Sequence, residues 1–210
     1  MTTHTFTKKE EIAHAVTHGI GVLFSIIALI VLIASSNIEK VWETTSVIIF
    51  GVTMFFMYIS STVCHGLPEG RWKDIFRICD HSSIYLFIAG TYTPILLGPL
   101  RSEIGWTLFS IIWAIALAGT IFKIFFVKKF LVLSTVFYIL MGWLIIVVWE
   151  PLSKAIPETG LNYLLIGGIF YTVGAIFYVW RRFHYHHAIW HLFVIAGSVF
   201  HFFTIMMLIP

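Results

Sequence analysis

The sequence predicts an all-α integral membrane protein, a bundle of seven transmembrane helices with its N-terminus in the cytoplasm and its C-terminus outside. Three observations predict it. Of 210 residues, 59% are hydrophobic and only 11% charged, whereas a soluble domain has roughly a quarter of its residues charged. Seven stretches contain no Asp, Glu, Lys or Arg and reach or approach the roughly 20 apolar residues that cross a hydrocarbon core. The basic residues, finally, fall unequally on the segments between those stretches. Intrinsic disorder needs low hydrophobicity and is excluded. Two cysteines, Cys64 and Cys79, exclude a secreted disulfide scaffold.

The stretches are 18–35, 45–64, 81–98, 105–122, 130–149, 161–180 and 188–209. Each is rich in Ile, Leu, Val, Phe and Ala without polar–apolar alternation, so they read as helices and not as strands of a membrane barrel. In the last two, Gly167, Gly168, Gly174, Ala196 and Gly197 allow close helix packing. Residues 1–17 carry charge and no apolar core, so they read as a retained cytoplasmic amphipathic segment and not as a signal peptide. Residues 18–210 form one transmembrane domain with short loops. Lys8, Lys9, Arg71, Lys73, Arg77, Lys123, Lys128, Lys129, Arg181 and Arg182 fall on one side. Only Lys40, Arg101 and Lys154 fall on the other, and the positive-inside rule makes the richer side cytoplasmic. The basic residues are thus membrane anchors, and no basic stripe points to nucleic acid.

This topology carries histidines that are distant in sequence to one depth. The second helix ends at His65, the third begins at Asp80 and His81, and the seventh begins near His187 and His191, all on the cytoplasmic side. His187 and His191 are i and i+4, so both imidazoles share one helix face and can reach one metal. His65 offers a third nitrogen. Three neutral histidines plus water is the form of a catalytic zinc site. Asp80 is placed to hold or deprotonate the water, and Ser61, one turn before His65, to hydrogen-bond water or a carbonyl. Asp80 can instead pair with Arg77. Glu11, His14 and His18 line one face of the first helix. They read as a second metal site, as supports for the first site's ligands, or as an interfacial polar face, with the supporting role preferred. His184 and His186 read as loop or headgroup residues, Cys64 and Cys79 as packed thiols. His201, about 15 Å deeper than His191, reads as an interhelical hydrogen bond.

EEIAHAVTHGIG (10–21), SSTVCHGLP (60–68), DHSSIYLFIAGTYTP (80–94) and HHAIWHLFVIAGSVFHFF (186–203) together resemble the hemolysin III family, part of the progestin and adipoQ receptor group and distantly similar to alkaline ceramidases. The resemblance spans nearly the whole chain. It implies a seven-helix bundle with zinc near the cytoplasmic face, Ser61 and Asp80 as catalytic residues, and His65, His187 and His191 as metal ligands. Family members often have Asn where this chain has His14, which leaves Glu11 and His18 as the functional pair beside the ligands. The expected function is zinc-dependent hydrolysis of a lipid amide or ester in the plasma membrane, on a fatty acid or sphingolipid-like molecule. A lipid-responsive sensor of membrane state with structural zinc is the alternative, and a pore or cytolysin is the lesser one. The last fits poorly with seven uniformly apolar helices that have no soluble form. A homo-oligomer is compatible with all three.

Overall fold

Helix α1 (Lys8–Ser35) shows the logic of the whole bundle. One face carries Ile12, Val16, Ile20, Leu23, Ile27 and Ile30, all exposed; the other buries Glu10, His14, His18, Gly21 and Ser25. Apolar outside and polar inside is the reverse of a soluble helix and suits a lipid surround, where polar groups must find partners within the protein. The structure is a computed structural model that describes residues 6–209; expectations placed on residues 1–5 and on Pro210 lie outside the described residues.

The other helices are α2 (Val41–Gly66), α3 (Arg71–Leu97), α4 (Glu103–Phe126), α5 (Leu131–Trp143), α6 (Trp149–Ala155), α7 (Glu158–Val179) and α8 (His186–Met206), with a 3₁₀ turn, Leu144–Val148, between α5 and α6. No strand occurs among the described residues. Among the described residues, six segments are long and apolar enough to cross a membrane: α1, α2, α4, the run Leu131–Ala155, α7 and α8. Helix α3 is equally long, but Arg71, Lys73, Asp74, Arg77 and Asp80 crowd its first half, and His81, Ser82, Ser83, Thr91, Thr93 and Pro94 dilute the apolar remainder, so it falls outside that class.

Short connections pack successive helices side by side: α1 on α2, α2 on α3, α3 on α4 and α7 on α8, with α1 closing against α8. Small residues set the α7–α8 spacing. A Cβ on Gly197 would come within 2.8 Å of the Tyr171 ring, and one on Gly174 within 2.7 Å of Phe193 Cβ. The break after α5 frees backbone groups, and Tyr92 of α3 collects them. Its hydroxyl lies 2.9 and 2.7 Å from the carbonyl oxygens of Met141 and Gly142 and accepts the Ile145 N–H at 2.8 Å.

Two expectations about the polar boundary need correction. His186 is not a loop residue: it is the first residue of α8, fully buried, with Nδ1 3.1 Å from the Phe177 carbonyl oxygen. Lys123 is not a loop anchor, because α4 continues past it to Phe126 and buries the side chain completely. His184 is exposed as expected, and His201 Nε2 reaches the Leu164 carbonyl oxygen of α7 at 3.2 Å, an interhelical hydrogen bond.

Candidate metal centre

Three helix ends meet where α1 starts, α2 finishes and α8 starts. Thr7 and Glu10 cap α1 reciprocally: the Thr7 side chain accepts the Glu10 N–H at 3.3 Å and Glu10 Oε2 accepts the Thr7 N–H at 2.9 Å. The second Glu10 oxygen accepts the Tyr185 N–H at 3.1 Å. Tyr185 precedes α8 with φ +61°, a left-handed conformation that disfavours a residue with a Cβ by about 1–2 kcal/mol. Glu10 thereby ties the start of α8 to the start of α1. The Thr-x-x-Glu spacing announces a helix start in sequence; the cross-link to Tyr185 does not show there.

The imidazoles converge below this tie. Ring centroids of His14 lie 4.8 Å from His65, 4.7 Å from His187 and 5.6 Å from His191. His65 lies 5.1 Å from His187 and 5.5 Å from His191, and His187 lies 4.6 Å from His191. One ligand atom each from His14, His65 and His187 falls within 4.8 Å of the other two, so these three buried histidines could hold a metal ion. His14, which the sequence reading set aside, belongs to this group, and His191 stands directly beside it.

Hydrogen bonds set which ring nitrogens are occupied and which are free. Glu11 Oε2 lies 2.6 Å from His65 Nδ1, and a carboxylate can only accept, so a proton sits on Nδ1 and the neutral ring presents its lone pair at Nε2. Lys73 holds the other Glu11 oxygen at 2.8 Å. Thr17 Oγ1 gives its own proton to the Ala13 or His14 carbonyl oxygen and stands 3.0 Å from His191 Nδ1, which leaves His191 Nε2 as the acceptor. Among the described residues, Nε2 of His65, His187 and His191 and both nitrogens of His14 are buried without a hydrogen-bond partner. Buried polar atoms normally have partners, and neutral imidazole nitrogens gathered in this way suit a transition metal.

His18 does not join them as a donor. Its ring stacks on His191 at 3.4 Å with an interplanar angle of 14°, and parallel rings cannot aim at one ion. Phe6 covers the cluster, with ring centroids 4.6 Å from His14 and 5.2 Å from His187. Ser61 is fully buried on α2, and its Oγ has no hydrogen-bond partner among the described residues. Asp80 is buried at 4% exposure with Oδ2 3.5 Å from His81 Nδ1; Arg77 pairs instead with Asp74 and Glu69. Lys73, Thr17 and Phe6 are the site residues that sequence reasoning missed. Their role depends on contacts across helices, and only Lys73, a cation near a helix end, left any trace in the pattern.

An apolar cavity of about 140 Å³ adjoins the cluster, lined in part by Phe87, Tyr92, Tyr138, Tyr178 and Trp190. Trp190 packs on His187 at 4.7 Å and on His191 at 5.0 Å, and Tyr178 lies 5.8 Å from His187. The wall of the cavity is therefore also the wall of the histidine cluster.

The chain is similar to known proteins over nearly its whole length. A family described as Haemolysin-III related matches residues 6–202. The chain is 52% identical to the hemolysin-3 homolog of Bacillus subtilis (strain 168) over 202 residues, 96% of this chain and 95% of that protein. It is 50% identical to hemolysin-3 of Bacillus cereus over 209 residues, 98% and 94% of the two chains. The human monocyte to macrophage differentiation factor is more distant, 32% identical over 209 residues, 93% and 83% of the two chains.

Proposed function

The chain is a multi-pass membrane protein of the Haemolysin-III related family, and from that premise we propose that it is a zinc-dependent hydrolase of a lipid amide or ester. The reading places a seven-helix bundle in the plasma membrane, α3 included, with the metal at the cytoplasmic face. The observation that carries it is the shared wall: buried imidazoles with free nitrogens lie against an apolar cavity through Trp190 and Tyr178. A polar centre one layer of aromatic rings away from an apolar slot suits a molecule with a polar linkage and an acyl chain.

His65, His187 and His191, with His14 beside them, would hold the metal. Zinc supplies a Lewis acid that polarises a carbonyl and brings the pKa of water to about 7. The chain's own residues do the rest. Asp80 takes the proton of the attacking water, Ser61 Oγ donates to the carbonyl oxygen as charge builds on it, and the cavity walls hold the acyl chain so that the linkage stays in register. Glu11 keeps His65 in the tautomer that presents Nε2.

The test is hydrolysis of a ceramide-type substrate by purified wild type, His65→Ala and Asp80→Asn. Wild type is expected to turn over slowly and both variants to lose at least about 100-fold, the scale of a positioned acid or base. Equal rates in all three would overturn the reading. A second reading, a lipid-responsive sensor with structural zinc, is favoured by the presence of four imidazoles where a catalytic site needs three. It expects lipid binding without turnover and a lower melting temperature after chelation.

A further inference from the structure

We propose that His14 is a fourth protein ligand of the metal and fills the coordination position that would otherwise hold water. The inference rests on the metal reading above and goes beyond it, since it concerns which groups close the shell. It stands on three observations.

The first is geometry. Among His14, His65, His187 and His191 the six ring separations run from 4.6 to 5.6 Å. Four imidazoles bound to one ion at about 2.0 Å have their ring centres roughly 3 Å from it, which in a tetrahedron sets them about 5 Å apart. The four rings already have about that spacing; ligand atoms of His14, His65 and His187 come within 4.8 Å of one another, and His191 stands slightly farther out, 5.5 and 5.6 Å from His65 and His14.

The second is hydrogen bonding. His65 and His191 each commit one nitrogen, to Glu11 and to Thr17 or the His14 carbonyl oxygen. Neither nitrogen of His14 makes a hydrogen bond among the described residues, although the side chain is 0% exposed. A buried imidazole without a hydrogen bond is costly, and ligation would satisfy it. Glu11 Oε2 stands 4.0 Å from His14 Nδ1, close enough to become its acceptor once Nε2 binds.

The third is placement. His14 lies one turn after Glu11 on α1, and Phe6 packs edge-on over its ring at 4.6 Å with an interplanar angle of 81°. Aromatic and helix together hold the ring toward His65 and His187. In this state the metal is closed, and a water or a substrate carbonyl reaches it only when the His14 ring turns away.

Cobalt(II) reads the shell directly. The full-length protein in detergent, loaded with Co²⁺, is titrated with azide and followed by visible absorption, alongside His14→Asn and His14→Gln. The expected wild-type spectrum is that of four nitrogen donors, unmoved by azide, with X-ray absorption fitting four imidazoles. The variants are expected to bind Co²⁺ and to shift with azide as the anion enters the vacated position. A wild-type protein that binds Co²⁺ with three imidazoles and shifts with azide as the variants do overturns the proposal and leaves the metal reading intact. Failure of wild type to bind Co²⁺ or Zn²⁺ at all overturns both. The wild-type measurement decides the matter even if both variants fail to fold.

Discussion

At the scale of single residues, the centre depends on side chains that never touch the cavity. Glu11 sits between Lys73 and His65, 2.8 and 2.6 Å from the two. Lys73 holds one carboxylate oxygen in place while the other accepts the His65 proton. Glu11→Gln keeps the shape but weakens the acceptor and allows the amide to turn its NH₂ toward His65. Removing such a supporting group typically costs 10–100-fold in metal affinity, and that loss is expected here in competition against a chromophoric zinc chelator. Unchanged affinity would mean that Glu11 only pairs with Lys73. Glu11 was legible in sequence because its spacing to His14 and His18 is helical. Thr17 was not, since a threonine inside an apolar helix looks like packing until His191 is found beside it.

At the scale of elements, the α7–α8 contact sets the direction in which α8 projects His187 and His191. Gly197 faces the Tyr171 ring at a distance that leaves no room for a side chain, and Tyr171 also reaches Ser198 Oγ at 3.0 Å. Gly197→Leu is expected to destabilise the bundle by about 1–3 kcal/mol through overpacking, measured by unfolding in denaturing detergent. Gly142 is the control, because a Cβ there meets nothing within 4 Å. Gly142→Ala is expected to be neutral or to stabilise by up to about 1 kcal/mol. Comparable losses for both would refute the packing argument. The run of small residues was visible in the sequence, whereas the break after α5 was not. The stretch 130–149 reads as continuous, and Tyr92, some 50 positions away in the chain, supplies the partners that make the break tolerable.

At the scale of the molecule, the proposed seven-span topology requires α3 to cross the membrane although its first half is charged. Glu69 and Glu150 have side chains 77% and 80% exposed and are separated by α3, α4 and the α5–α6 run. If α3 spans, these two residues lie on opposite sides; if it does not, they lie on the same side. Glu69→Cys and Glu150→Cys, each in a background with Cys64 and Cys79 replaced by Ser, are expected to react with a membrane-impermeant maleimide from opposite faces. Glu69 is expected to face the cytoplasm. Labelling of both from one face would remove the seven-span topology, and labelling at Glu69 from outside would remove the cytoplasmic assignment of the centre.

The sequence by itself determined the class of protein and the end of the bundle at which the histidines meet. Both follow from composition and span counting, which need no knowledge of how helices rotate about their axes. Helical spacing also paired His187 with His191. Only the tertiary structure decided which nitrogens face inward. That depends on rotations of α1, α2 and α8 fixed by the Glu10–Tyr185 tie, by the Glu11–His65 and Thr17–His191 bonds, and by the close approach at Gly197. It brought His14 into the cluster, turned His18 into a stacking partner and left Asp80 beside His81. The physical reason is that a helix defines angles between its own residues to within a few degrees, while the angle between two helices is set by side chains that a linear pattern does not connect.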